Sequence, residues 1–524
     1  MKSSTRIIVN TTAQYMKTFV NIILTLFSAR LILEALGVTD FGLYSLLAGV
    51  TSMLAFATNA LASTTQRFLS YHQGKSGIEQ QRDVFANSFY IQLSLGLLTL
   101  VILLLLTPFM FDGILNVPTE RLYAAQWTYV IVAIILFVTF LCTPYRAILI
   151  SHENIVYITI IDVIDGILKV IFAIVLSHIS YDRLIGYAFS LLIMQIFNLI
   201  VIAIYAIRKY EECSVPSVRR IQRKYIRNIS SYAGWNIYSV GCVMGRTQGI
   251  AILINRYFGA TVNAAYGLGF QIAGYVNFMS ESLMNAIRPQ IVRAEGEGNR
   301  ERMLRLSELA CKFSFYLLSC LAIPCIFEME TLLTLWLGKV PEYAVLFCRM
   351  VLIASIVDSL TCGLGMANQA IGNIKQYSLA VNSVKLITLP VAFICVKIGL
   401  SIYWIAISYV IFEFLCAMIR LPFVKRTGGL NVLLFIKNVF IKASSPFIVF
   451  ILTTYVLSSC FKSKFAFILT FTGSSTIYTF AIYLLGLTVQ EKAIIKGMCS
   501  SLKTNVIKIL KNSYDKKSNT GYIL

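Results

Sequence analysis

Lys17, Lys169 and Arg246 each lie inside a long apolar run. A charged side chain there is costly unless it faces a cavity, water or a partner. Three such cations exceed what helix packing requires, and their chemistry is anion recognition. The Arg246 guanidinium can fork onto phosphate oxygens, and each ammonium acts as a point charge. Around Lys17, the residues Asn10, Gln14, Asn21, Thr25 and Ser28 recur at steps of three and four, which makes one polar stripe on an apolar helix. Asp162, Asp165 and Lys169 share a face of a later run. Asp165 and Lys169 are four apart and can pair, which leaves Asp162 without a partner in its own helix. Further runs align Asn236, Ser239 and Arg246, then Asn277, Glu281 and Asn285. The expectation is a central cavity where Lys17, Lys169 and Arg246 bind an anionic head group beside Gln14, Asn21 and Asn236. Asp162 and Glu281 could carry counter-protons. Asp358, Lys385 and Glu413 fall in three separate later runs, and the two acids read more simply as polar packing.

Catalytic chemistry has no comparable foothold. His72, His152 and His178 are scattered, so no metal or acid–base cluster is expected. No Gly-rich phosphate loop of the Walker type occurs. Of the twelve cysteines, Cys142, Cys242, Cys320, Cys325, Cys348, Cys362, Cys395 and Cys416 lie in apolar runs with no metal or disulfide spacing, and they read as small core residues. The chain is expected to be no enzyme and to need no cofactor or metal.

The elements that must hold these side chains are membrane helices. The chain is 57% hydrophobic and 13% charged, against about 25% charged in soluble domains. Apolar runs long enough to cross a bilayer recur throughout, and their length rules out the short alternating strands of a barrel. About fourteen spans are expected: 13–35, 42–66, 85–109, 123–147, 155–178, 184–207, 232–255, 262–287, 310–328, 344–366, 377–397, 401–421, 442–460 and 464–487. Met1 to Phe19 lacks a compact apolar stretch with a small-residue cleavage site, so the first helix reads as an uncleaved start-transfer segment.

The formal charge of +21 does not point to nucleic acid, because the basic residues sit in short segments between apolar runs. Arg67 with Lys75 and Arg82, the cluster from Arg208 to Arg227, Arg288 to Arg305, Lys425 with Arg426, and the tail from Lys492 to Lys517 all fall on one side if the spans alternate. That bias places both termini in the cytoplasm. The organisation expected is an N-terminal lobe over 1–207, a basic linker over 208–231, a C-terminal lobe with additional helices over 232–487, and a basic tail over 488–524. Within the tail, 489–512 reads as an amphipathic helix on the inner leaflet, in contact with membrane lipids.

The lobes are related by a weak internal repeat. Sliding the chain so that Gly37 meets Gly259 also brings Gln14 to Asn236, Thr25 to Thr247, Leu31 to Leu253, Tyr44 to Tyr266 and Leu46 to Leu268. In each copy a long helix ends at a Gly-containing turn and a second begins with a Tyr. Repeats of this kind mark secondary transporters that hold substrate between their halves.

Several stretches carry a resemblance. They are Gly37-Val-Thr-Asp-Phe-Gly-Leu-Tyr44 with Thr65-Gln-Arg67-Phe-Leu-Ser70; Asn263-Ala-Ala-Tyr-Gly-Leu-Gly269 with Asn285-Ala-Ile-Arg-Pro-Gln290 and Glu295-Gly-Glu-Gly-Asn-Arg300; and Asn368-Gln-Ala-Ile-Gly-Asn-Ile-Lys-Gln-Tyr377. Together, over about residues 7–490, they resemble the Wzx-type flippases, the polysaccharide transporter branch of the multidrug/oligosaccharidyl-lipid/polysaccharide exporter superfamily. The resemblance implies a two-lobed helical bundle with alternating access in the inner membrane. It implies a lipid-diphosphate-linked oligosaccharide as cargo, for O-antigen or capsule assembly, and a polysaccharide polymerase and chain-length machinery as partners. Lys17 and Arg246 look like the cavity cations of related lipid-linked sugar flippases. The competing reading is a drug exporter of the same superfamily, with twelve helices and an acid-lined cavity for cations. A membrane polymerase or ligase would need a substantial functional outer loop, and the outer loops here are short.

Overall fold

In a bilayer every backbone polar group must be satisfied within its own segment, and helices achieve this. The computed structural model describes residues 3–75, 77–111, 117–176, 182–213, 217–460, 466–488 and 491–492. Among these, every regular element is helical and none is a strand. The amphipathic helix expected over 489–512 lies almost wholly outside the described residues.

Helix α1 (Ser3–Lys75) has two arms that meet at Gly37, where φ is 77° and ψ 169°. α2 (Ile78–Phe109), α3 (Leu122–Ser151), α4 (Ile155–Leu176) and α5 (Arg183–Lys209) follow. α6 (Arg223–Phe258) and α7 (Ala260–Gly296) meet at Gly259, where φ is 88° and ψ 170°. The two glycines matched by the sequence repeat therefore hold the same torsions, and the α6–α7 corner reproduces the corner within α1. A Cβ at either glycine would meet no atom within 4 Å. The requirement for glycine is thus conformational, since this region of backbone space is open essentially to glycine alone.

The second half continues through α8 (Arg300–Phe327), α9 (Met329–Leu337), α10 (Ala344–Ser359), α11 (Cys362–Ile371) and α12 (Ile374–Tyr377). A π-helical turn, Ser378–Asn382, leads from α12 into α13 (Ser383–Lys397). α14 (Tyr403–Gly428), α15 (Val432–Phe435), α16 (Lys442–Cys460) and α17 (Ala466–Ala481) complete the described chain. Among the described residues, nine helices are long and apolar enough to cross a membrane, or ten if α10 and α11, bent by 49°, count as one. The protein is multi-pass. The fourteen-span reading assigns its other four spans to the two arms of α1, to α4 and to α7.

α1 packs on α3 and α4, and α3 on α2 and α5. α7, α8, α10, α13 and α14 form a second group, with α6 against α13. α16 and α17 pair and lie on α8, where Tyr478 stacks on Phe450 with ring centroids 4.1 Å apart and the Tyr316 hydroxyl donates to the Lys442 carbonyl at 3.1 Å. The buried Lys312 of α8 pairs with Glu491 at 2.7 Å, just beyond these helices.

The two groups meet along α1 and α7. Near their C-terminal ends a Cβ on Gly74 would lie 2.2 Å from the Arg293 carbonyl oxygen, and one on Gly296 would lie 2.1 Å from the Tyr71 carbonyl oxygen. The register that matches Gly37 to Gly259 also matches Gly74 to Gly296 and Tyr71 to Arg293. The crossing is therefore reciprocal: each glycine admits the backbone of its counterpart helix. The same seam is bridged by Asn236, which donates to the Ala60 carbonyl at 3.0 Å and to Ser63 at 2.7 Å.

Candidate functional site

The structure divides the expected central cavity in two. One cavity, about 230 Å³, lies between α1 and α4 and is lined by Lys17, Asn21, Ser28, Asp162, Asp165 and Lys169. The other, about 540 Å³, lies in the second group and is bordered by Asn236, Arg246, Glu281, Arg288 and Asp358, among others. Lys17 and Lys169 share a cavity, and Arg246 belongs to the other. Gln14 is half-buried a turn before Lys17 and lines neither.

In the smaller cavity, Gly166 of α4 lets α1 approach: a Cβ there would lie 2.7 Å from Leu24 and 3.3 Å from Asn21. The expected pairing of charges is corrected here. Asp162, expected to lack a partner in its own helix, finds two on other helices: it forms an ion pair with Lys17 of α1 and accepts from Arg146 of α3 at 2.8 Å. Asp165 does not form an ion pair with Lys169 but accepts from Asn198 of α5 at 2.5 Å. A tertiary partner has displaced the weak one-turn pair. Lys169 is left with no ion pair or hydrogen bond among the described residues.

In the larger cavity, Arg246 donates to Glu413 at 2.7 Å and lies over the Tyr409 ring, 4.1 Å from its centroid. Glu413 also pairs with Lys385, Lys385 reaches Asp358 at 3.3 Å, and Asp358 accepts from Arg420 at 2.7 Å. Arg420 further donates to Thr361 at 3.1 Å. Asp358 and Glu413, read from sequence as polar packing, are thus the two acids of one ladder that joins α6, α10, α13 and α14. Arrayed alternately, these charges satisfy one another where either sign alone would be prohibitive. Glu281 and Arg288 of α7 border the same cavity outside the ladder, and neither forms an ion pair among the described residues. The Arg288 Nε is buried without a hydrogen-bond partner.

Arg146, Arg288 and Arg420 were not among the expected site residues. Arg420 is seven residues after Glu413 and so shares its helix face, a signal the sequence does hold. Arg288 falls in a basic stretch that reads as a helix end. Arg146 gives no periodic signal. No group of three metal-ligating side chains occurs among the described residues.

Below the cavities, the seam near Gly74 and Gly296 is latched by two arginines. Arg67 of α1 donates to the carbonyls of Gln369 and Ala370 at 3.0 and 2.9 Å, at the C-terminal end of α11. Arg293 of α7 donates to the carbonyl of Ser151 at 3.1 Å, at the C-terminal end of α3, and to Gln73 at 2.7 Å. Each arginine satisfies orphan carbonyls of a helix in the opposite group, where a cation also suits the helix dipole. Glu153, in the turn after α3, has a φ of 58°. Its carboxylate accepts from Gln290 at 3.1 Å and lies 3.6 Å from Arg293, and its carbonyl accepts from Asn10 at 2.8 Å. The same turn is braced by the segment after α5: His152 pairs with Glu212 and stacks on Tyr210 at 4.1 Å. Two groups joined along α1 and α7, each with a polar cavity, form an arrangement that can hold a charged or polar solute.

No family model matches this sequence, and no curated protein matches it. Solved structures match over most of the chain. A MATE structure in the bent conformation superposes with a TM-score of 0.71 at 14% identity, over 83% of this chain and 99% of that one. A multidrug resistance MATE family transporter of the MOP superfamily in an outward-facing conformation gives 0.65 at 14%, over 83% and 97%. A MOP superfamily transporter from Pyrococcus furiosus, described as having a binding pocket of reverse polarity that suggests a different function, gives 0.66 at 14%, over 83% and 97%. This chain, a multi-pass helical membrane protein, has the fold of the MATE transporters of the MOP superfamily.

Proposed function

We propose that this protein is a transporter of the inner (plasma) membrane that works by alternating access between its two lobes, with both termini in the cytoplasm. Its cargo carries an anionic head group. A lipid-diphosphate-linked oligosaccharide, moved from the inner to the outer leaflet for O-antigen or capsule assembly, is the member of that class named by the sequence resemblance. A polysaccharide polymerase and chain-length machinery would then receive the product.

The observation that carries the anionic cargo is the state of the cavity charges. Of the acids that line the two cavities, Asp162, Asp358 and Glu413 are each held by two cations and Asp165 accepts from Asn198, which leaves Glu281 as the uncommitted acid among the described residues. Lys169 and Arg288 form no ion pair among the described residues and are the uncommitted cations. With a cell interior negative, outward movement of each negative charge gains about 2.3 kcal/mol per 100 mV.

A second reading, antiport of organic cations or drugs, is favoured by the fold comparisons, since the similar structures are MATE transporters and one is a multidrug resistance protein. Glu281, in no ion pair among the described residues, would then be the exchanging acid. The match leaves about a sixth of this chain beyond the neighbours' fold, a share close to that of the segment after α14.

One pair of assays in proteoliposomes separates the readings. The first follows a fluorescent lipid-diphosphate oligosaccharide with an impermeant quencher. The second follows a cationic dye under a proton or sodium gradient. Quencher-accessible lipid lost in an Arg288→Ala variant, without dye transport, supports the anionic cargo. Gradient-driven dye movement lost in Glu281→Gln, without lipid flipping, overturns it in favour of the antiporter.

A further inference from the structure

A third cavity, also about 540 Å³, lies where α1 and α2 meet α6. It differs in kind from the polar pair. Leu61 of α1 and Tyr90, Ile91 and Leu95 of α2 form one wall. The other wall is a single face of α6, on which Ile226, Ser230, Gly234 and Ile237 recur at steps of three and four. Gly234 is exposed, and a Cβ there would meet no atom within 4 Å. The groove is therefore open where the helix lacks a side chain. Toward the start of α6 the same face carries Arg223 and Arg227, both exposed and in no ion pair among the described residues.

One helix face thus changes from two free guanidiniums, through the Ser230 hydroxyl, to an apolar trough. From Arg223 to Ile237 the helix rises about 21 Å, close to one leaflet of a bilayer about 40–45 Å thick with its head groups. A solute in transit has the polar cavities to occupy, and this groove offers it almost nothing polar. We propose that the groove is a binding site for one anionic phospholipid of the surrounding bilayer. Its phosphate bonds Arg223 and Arg227, and one acyl chain lies along Gly234 and Ile237 against α2. Charge complementarity selects the head group: guanidinium forks match phosphate oxygens, and two uncompensated cations favour a net negative head group over a zwitterionic one. The length of the trough and its apolar lining select a chain rather than a soluble phosphate. The assignment is independent of the identity of the cargo.

The test is native mass spectrometry of the purified full chain titrated with phosphatidylglycerol and, separately, phosphatidylcholine of the same chains. Wild type is expected to show one site that prefers phosphatidylglycerol. The double variant Arg223→Gln/Arg227→Gln should bind phosphatidylglycerol about 30-fold more weakly at that site, at roughly fivefold per charge, and should no longer distinguish the lipids. Gly234→Leu fills the trough with a better helix former and should lose the site for both lipids while its thermal unfolding stays at the wild-type temperature. Unchanged phosphatidylglycerol binding in Gly234→Leu would sink the proposal, as would a wild type without preference. Loss of preference in the arginine variant alone would reduce the feature to a basic surface and overturn the groove.

Discussion

Glu413 holds two cations of different helices, Arg246 at 2.7 Å and Lys385, and this asymmetry sets the outcome of mutation. Remove Arg246 and Glu413 keeps Lys385. Remove Glu413 and Lys385 keeps Asp358, but the buried guanidinium of Arg246 is left with only the Tyr409 ring. An uncompensated buried charge destabilises by about 3–5 kcal/mol. Thermal unfolding of the solubilised protein should therefore fall further for Glu413→Ala than for Arg246→Ala, and equal losses would show that the ladder does not work as a unit. Outside the membrane, the His152–Glu212 pair makes a pH prediction. Burial pushes the Glu212 carboxyl up, but the hydrogen bond and charge of His152 outweigh it and hold the carboxyl below its ordinary value. A carboxyl lowered in the fold contributes stability above its unfolded pKa of about 4.3, which is lost as pH falls through the lower folded value. Wild type should thus lose unfolding temperature more steeply than Glu212→Gln below about pH 4.3, and parallel acid limbs would exclude the pair as the cause.

At the scale of elements, the paired corners at Gly37 and Gly259 make the clearest prediction. Each glycine occupies torsions that a residue with a Cβ enters at about 1–3 kcal/mol, and neither has a steric neighbour. Gly37→Ala and Gly259→Ala should each lower the unfolding temperature by similar amounts, despite the open space. A loss at one corner only would mean that the corners are not equivalent. These corners were legible in the sequence because a glycine between two long apolar runs leaves a mark that survives weak repetition. The helices themselves were legible from run length. What the sequence hid is pairing across helices. Asp165 and Lys169 satisfy the one-turn rule, yet Asn198 on another helix takes the acid. Arg146 from the preceding helix and Lys17 from the first converge on Asp162, and no periodicity announces a partner on another element. The bend between α10 and α11 was also invisible, because 344–366 reads as one even apolar run.

At the scale of the molecule, the seam along α1 and α7 ties two weakly similar halves together. The glycines Gly74 and Gly296 bring α1 and α7 to backbone contact, and the two arginines fasten each group to a helix end of the other. Because the contacts are reciprocal, separation at one of them is expected to bring separation at the other, as in a two-state seam. A charge-assisted hydrogen bond contributes about 1.5–3 kcal/mol, so loss of one arginine should shift the balance without unfolding the protein. Hydrogen–deuterium exchange offers a direct reading. In Arg67→Ala and in Arg293→Ala, amides over 151–154 and at the C-terminal end of α11 should exchange faster together, since each latch supports the other. Gly74→Ala should do the same more strongly, because its Cβ would collide with the Arg293 carbonyl oxygen and no side-chain rotation can relieve a clash with backbone. Faster exchange confined to the helix end that each arginine touches would show two independent caps, and the reciprocal seam would then be geometry without coupling.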